Sequence, residues 1–228
     1  VERIAKFAPR VRRLRESSEA IHFMVGKEFS LITSGIVPGD NWFERVDYTD
    51  KRNADWVERV WATFPRMFKQ IIAVCKENYG YKISYAAIAW VEIDAVPWSN
   101  PMFESVGIDG GLLPARGATD EVFFRQLSGL KAKFGKPVII PDFGCMTYTG
   151  ADQWDGAILP NAWENGPYDE DAQAKYIKTY CDVLNRATTE GCFYYQYREL
   201  ADKGVGLYST GKKRKKGFYM YKSYKPTG

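Results

Sequence analysis

Five short runs along the chain combine β-branched, aliphatic and aromatic residues with little polar alternation. They cover residues 21–29, 82–94, 104–113, 136–145 and 191–200. Strands that are covered on both faces, as in a parallel sheet, have this nearly continuous hydrophobic character. The runs therefore predict five buried strands.

Between these runs, apolar residues recur at the spacing of amphipathic helices. The pattern covers a first segment up to about Ser18 and then residues 56–78, 121–135 and 169–191. The predicted order, α-β-α-β-β-α-β-α-β, favours an α/β fold with a parallel sheet. Because no linker or repeat divides the sequence, a single domain spanning 1–228 is predicted.

Composition and charge narrow the classes of protein. The 228 residues are 45% hydrophobic and 26% charged, with a net charge of +4, which excludes collagen-like and disordered classes and gives little reason to expect nucleic acid as a partner. No run approaches the roughly 18 apolar residues of a membrane span, and the first segment lacks the apolar core of a signal peptide. These features leave the compartment open, with a cytoplasmic location slightly favoured, and we expect no membrane partner.

The sequence lacks the residues that several common kinds of catalytic and binding site require. His22 is the only histidine, which excludes histidine pairs, and it is predicted to be a core residue. The four cysteines form no CxxC pair and are predicted to be free, buried thiols. No glycine-rich phosphate-binding loop is present, and the basic run GKKRKKG at 211–217 is interpreted as a solvated turn. We predict no cofactor.

Acidic residues stand at the ends of the predicted strands, where α/β barrels carry their functional groups. The candidates in strand order are Glu28, Glu92, Asp94, Asp109 and Asp142, and the fifth run adds Gln196 and Tyr197. Strand alternation would put Glu28 on one face with His22, Met24 and Gly26, and Asp142 on one face with Val138 and Ile140.

Aromatic residues lie near the same strand ends. They are Trp42, Trp90, Trp98, Tyr148, Trp154, Trp163, Tyr195 and Tyr197. Carboxylates beside aromatic rings suit a sugar site, and glycoside hydrolysis needs two carboxyl groups that flank the bond. An equally open interpretation is that the aromatics fill the core and the acids cap helices.

Four segments in order resemble the clan A glycoside hydrolases, which are (β/α)8 barrels. VGKEFSLITSGIVPGDNWFERV at 25–46 resembles their fourth strand, and FESVGIDGGLL at 103–113 resembles the sixth. KPVIIPDFGCMTYTGA at 136–151 resembles the seventh strand, in the form found in a little-studied bacterial glycosidase-like group, and residues 204–224 resemble the eighth-strand loop and closing helix. The resemblance implies a truncated (β/α)8 barrel that contains strands four to eight.

The resemblance also implies roles for individual residues. Glu28 would be the acid/base and Asp142 the nucleophile or base, on a β-linked saccharide. Asp142 stands where the family has Glu, and Lys27 stands where many members have Asn. Because Asp is one methylene shorter than Glu, the gap between the two carboxyl groups should be wider than in the family.

Further residues are predicted to contact substrate: Glu92, Asp94, Trp98, Asp109, Tyr148, Gln196 and Tyr197. Two other functions stay open, a catalytically impaired carbohydrate-binding or scaffold barrel and a metal-dependent α/β enzyme that uses the acid cluster. An open sheet would leave strand edges unpaired. We therefore expect a partner chain or self-association to complete the barrel.

Overall fold

A computed structural model describes residues 1–18, 21–109, 120–153, 166–195, 204 and 206–225. The chain divides into two compact units, residues 1–109 and 110–228, and each is described separately. The prediction of a single domain stays a prediction.

Within the described part of the first unit, helices alternate with three strands. Its elements are α1 (Glu2–Ser17), β1 (Phe23–Lys27), α2 (Phe29–Ile32), α3 (Trp42–Lys51), α4 (Asn53–Asn78), β2 (Ile83–Ile88), α5 (Ala89–Ala95) and β3 (Val106–Asp109). β1 pairs with β2 and β2 with β3, both in parallel. The side chains of β2 are almost all buried, as expected for a strand covered on both faces.

Aromatic rings form the core between α4 and β2. Phe64 and Phe68 project from the buried face of α4, and both rings contact the ring of Tyr85 on β2. Phe68 also contacts Phe103, whose side chain is completely buried. Such edge-to-face contacts add roughly 1 kcal/mol each to the burial of the rings. This packing holds Tyr85 in a defined position beneath the end of β1.

Among its described residues, the second unit contains two strands and three longer helices. Its elements are α6 (Asp120–Phe134), β4 (Val138–Phe143), a 3₁₀ turn (Ala151–Gln153), α7 (Glu170–Arg186), β5 (Gly191–Tyr194) and α8 (Lys216–Ser223). β4 and β5 pair in parallel. The rings of Phe143 and Tyr180 stack with centroids 4.4 Å apart, which joins β4 to α7.

The predicted α/β class with parallel strands is confirmed, and the four predicted helices and five strands are present. All four cysteines are free and buried, as predicted. The helix predicted for 169–191 ends earlier, at Arg186, because Thr188 has a left-handed backbone with a φ of +49°, and Gly191 already belongs to β5. Residues 110–113 and 196–200 of the predicted strands lie outside the described residues.

Three local predictions are wrong. Residues 89–94 form α5 and not the end of a strand. His22 is exposed and pairs with Glu104 at 2.7 Å, because it precedes β1 and does not lie within the core. The basic run is only partly a solvated turn, since Lys215 is buried and Lys216 begins α8.

Strand alternation also fails where it was used to orient the two candidate carboxylates. Between Met24 and Lys27 the register of β1 advances three residues while β2 advances two. β4 shows the same irregularity between Ile140 and Phe143, opposite β5. An extra residue of this kind is a β-bulge, which turns the following side chains and is common beside active sites. Period-two counting therefore cannot assign Glu28 or Asp142 to a face.

Candidate functional site

Glu28 follows β1 directly and has an unusual backbone. Its φ is +44° and its ψ is +43°, in the left-handed region. An L-residue other than glycine pays roughly 1–2 kcal/mol for this conformation, and such strain is concentrated at functional sites. The backbone N–H of Glu28 donates to the carbonyl of Ala86 on β2 at 3.0 Å, which ties the strained residue to the sheet.

The side chain of Glu28 is held as well. It is 8% exposed, and the indole Nε1–H of Trp42 donates to its Oε2 at 2.9 Å. Trp42 itself is half-buried at the start of α3. The carboxylate therefore stands at a strand end beside an aromatic ring, which is the combination that the sequence predicted for a sugar site.

Two buried side chains accept the backbone N–H groups that follow Glu28. The Phe29 N–H donates to the hydroxyl of Tyr85 at 2.8 Å. The Ser30 N–H and Oγ–H both donate to Oε1 of Glu92, at 2.7 and 2.6 Å. These contacts satisfy the first free donors of α2, which a helix start otherwise leaves without partners.

Glu92 lies in the interior, on α5, and is completely buried. Its Oε2 accepts from the Tyr85 hydroxyl at 2.8 Å and from the Ile88 N–H at 2.9 Å. Burial raises the pKa of Glu92 to about 7, although its hydrogen bonds act in the opposite direction. Both oxygens are therefore engaged within the protein, which explains why a carboxylate is tolerated there.

Lys27, the last residue of β1, forms an ion pair with the last residue of β3. Its Nζ is 3.3 Å from Oδ2 of Asp109. The Asp109 side chain is 8% exposed and that of Lys27 is 39% exposed. The carboxyl ends of β1 and β3 thus carry a mixed-charge pair next to Glu28.

The other predicted residues of the first unit differ in exposure. Asp94 is exposed on α5. Trp98 is buried, and its Nε1–H donates to the carbonyl of Ile93 at 2.8 Å while its ring contacts Phe103. Trp98 is therefore a core residue and offers no open ring face to a sugar.

In the second unit, Asp142 lies at the bulge of β4 and is half-buried. The segment that follows β4 is fixed by polar contacts. The amide of Gln173 and the hydroxyl of Tyr194 both donate to the carbonyl of Cys145, at 2.9 and 3.1 Å. Tyr148, also on this segment, is buried, and burial raises the pKa of its hydroxyl.

A buried lysine also contacts the segment that follows β4. The Nζ of Lys215 donates to Thr147 Oγ1 at 3.0 Å and to the carbonyl of Gly204 at 3.2 Å. Thr147 Oγ1–H in turn donates to that carbonyl at 2.9 Å. Burial lowers the pKa of Lys215 to about 8, against the opposing effects of Glu170 and Cys145.

Sequence reasoning missed Tyr85, Ser30 and Lys215. Tyr85 stands within an apolar run and Ser30 directly follows one, and a single hydroxyl at such a position carries no signal of its own. Lys215 is one of five basic residues in the run at 211–217, and composition cannot show which one turns inward. Gln196 and Tyr197 lie outside the described residues.

No group of three or more potential metal ligands occurs within the part of the chain that the structure describes. None of the described helices is long and apolar enough to cross a membrane.

No protein-family model and no curated protein matches this sequence. The fold, however, is similar to solved glycoside hydrolases. A GH113 β-1,4-mannanase superposes with a TM-score of 0.58 and 14% identity over 98% of this chain and 62% of its own. An intracellular xylanase from Thermoanaerobacterium saccharolyticum superposes with a TM-score of 0.54 and 10% identity, over 96% of this chain and 64% of its own. A fungal β-1,4-galactanase has the same TM-score and identity, over 97% of this chain and 68% of its own.

These likenesses define the class of fold. The chain has a (β/α)8-type barrel fold, the fold that the four sequence segments predicted, with five strands among the described residues. It spans less than two thirds of the length of the mannanase and the xylanase. At 10–16% identity the comparison shows the fold alone.

Proposed function

We propose that this protein is a glycoside hydrolase that cleaves a β-linked saccharide, with Glu28 as acid/base and Asp142 as nucleophile or base. The observation that carries the proposal is Glu28: a strained, hydrogen-bonded carboxylate at a strand end, in a fold shared with three hydrolases of β-linked glycans. The half-buried Asp142, at a bulge in a second strand, supports the other half of the pair.

The chemistry requires different roles from the two groups. Glu28 would protonate the departing glycosidic oxygen, and the Trp42 N–H would keep its carboxyl in one orientation. Asp142 would attack the anomeric carbon or activate a water. Because Asp is one methylene shorter than the Glu of the resembling family, we expect a water between the carboxylate and the sugar, and hence inversion of configuration.

We propose that Asp94 and the Lys27–Asp109 ion pair form hydrogen bonds with the hydroxyl groups of the sugar. Glu92, Trp98 and Tyr148 are buried, and we propose that they support the site from within. Substrate contact by Gln196 and Tyr197 stays a prediction.

The test is hydrolysis of β-1,4-linked manno-, xylo- and galacto-oligosaccharides by the wild type, Glu28→Gln and Asp142→Asn. Each variant should lose at least roughly 100-fold in kcat, whereas Glu77→Gln and Asp182→Asn, the same changes at exposed helix positions, should lose nothing. Proton NMR of the first product anomer gives the stereochemistry. Activity that survives both site substitutions would refute the assignment.

The Lys27–Asp109 ion pair favours a second candidate, a carbohydrate-binding barrel without turnover. Lys27 replaces an Asn of the resembling family, and its charge engages Asp109. Saturable oligosaccharide binding by calorimetry, with no product after prolonged incubation, would support this candidate over the hydrolase.

We further propose that another chain, or a second copy of this one, pairs with the outer edge of β1. Within the described residues, β1 is paired only with β2, and an edge strand left uncovered promotes association. Sedimentation analysis of the purified chain should show a dimer or larger species. A monomer at micromolar concentration would contradict self-association.

A further inference from the structure

Glu28 needs something to hold it in its left-handed conformation, because the surrounding structure must stabilise a strained residue. The groups that do so must contact the backbone next to Glu28. The two following N–H groups provide that contact, since they donate to Tyr85 on β2 and to Glu92 on α5.

Consecutive N–H groups converge where a left-handed residue precedes a helical one, and such a concavity attracts negative charge. Here the chain supplies the negative group itself, because Glu92 Oε1 receives both the N–H and the hydroxyl of Ser30. Tyr85 links the contacts: its hydroxyl accepts from Phe29 and donates to Glu92 Oε2.

We propose that Tyr85, Glu92 and Ser30 form a buried clamp that fixes the backbone of Glu28, and that Glu92 and Tyr85 are positioning residues for its carboxylate. The functional part of this inference rests on the proposed role of Glu28. The structural part does not, because the clamp acts on the conformation of Glu28 whatever that residue does.

Both carboxylate oxygens of Glu92 are needed as acceptors in the clamp. Glu92 receives four hydrogen bonds, from Ser30 N, Ser30 Oγ, Tyr85 and Ile88 N. A glutamine at this position would turn an NH₂ group, a donor, toward two of these donors. Removing the Tyr85 hydroxyl would leave the Phe29 N–H without its acceptor. Either change favours a different backbone conformation at Glu28, and the Trp42–Glu28 hydrogen bond should then break.

Trp42 therefore reports on the clamp without any substrate. We would label the seven tryptophans with 5-fluorotryptophan and assign the Trp42 fluorine resonance with Trp42→Phe. Glu92→Gln and Tyr85→Phe should each shift or broaden that resonance. Glu77→Gln, an exposed control on α4, should not, and the resonance of Trp61, which is 53% exposed on α4, should stay constant throughout as evidence of intact folding.

Where the hydrolase assay gives activity, both clamp variants should lower kcat by roughly 100-fold with little change in KM, since the displaced carboxylate fails in the chemical step and not in binding. An unchanged Trp42 resonance in the folded variants would overturn the clamp. If Glu92→Gln does not fold, Tyr85→Phe decides, because it removes one oxygen and keeps the packed ring. A wild type without activity would refute the proposed function and leave the fluorine result standing.

Discussion

We expect the buried Lys215 to make the protein more stable as pH rises, whereas a lysine in an ion pair would make it less stable. The side chain is 1% exposed, and burial lowers its pKa from 10.5 to about 8. Two of the acceptors that its ammonium group contacts, the Thr147 hydroxyl and the Gly204 carbonyl, carry no charge.

The sign and size of the effect follow from proton binding. Between pH 8 and pH 10.5 the folded state has lost the Lys215 proton while the unfolded state keeps it, so folding becomes more favourable as pH rises. Each pH unit in this window is worth about 1.4 kcal/mol, and the full shift is worth about 3 kcal/mol. Below pH 8 both states are protonated and the contribution is constant.

Urea unfolding of the wild type and of Lys215→Met, at intervals from pH 7 to 10.5, measures this effect. The free energy of unfolding of the wild type minus that of the variant should rise by about 3 kcal/mol across the window, because the other titrating groups cancel in the difference. Lys213→Met, an exposed change in the same basic run, should give a flat difference. Parallel curves for the wild type and Lys215→Met would refute the buried, perturbed lysine.

Two further predictions concern the packing and the backbone strain next to the site. A Cβ at Gly107 would lie 2.0 Å from the backbone oxygen of Tyr85, so Gly107→Ala should lower the free energy of unfolding by at least about 3 kcal/mol. The control Gly129→Ala, whose Cβ would meet nothing within 4 Å on α6, should raise it by about 1 kcal/mol. Equal melting temperatures of the two variants would contradict this prediction. Glu28→Gly removes both the carboxylate and the strain of the left-handed backbone. The variant should therefore lose hydrolysis, while its free energy of unfolding changes by less than about 1 kcal/mol. A loss of several kcal/mol in a denaturant titration would show that Glu28 is a structural residue.

Much of the fold could be predicted from local sequence. The apolar runs located all five strands, and periodicity located the long helices, because burial on both faces and amphipathic spacing act on neighbouring residues. The boundary at Ile88 was missed, since Ala89–Ala95 are apolar enough to continue a strand. The hydrogen bond from the Ile88 N–H to Glu92 contributes to ending β2 at this residue. An apolar run in the sequence does not reveal such a contact.

The sequence by itself determined the α/β class, the order of its elements and the position of Glu28 after the first strand, because each depends on residues close together along the chain. Only the tertiary structure decided what the acids do. It showed that Glu92 is a buried acceptor on α5 and does not end a strand, and that Asp109 pairs with Lys27. It also showed that bulges in β1 and β4 end the simple alternation of side chains. The physical reason is that burial, charge pairing and register depend on groups far apart in sequence, such as Ser30 and Glu92, which meet only when the chain folds.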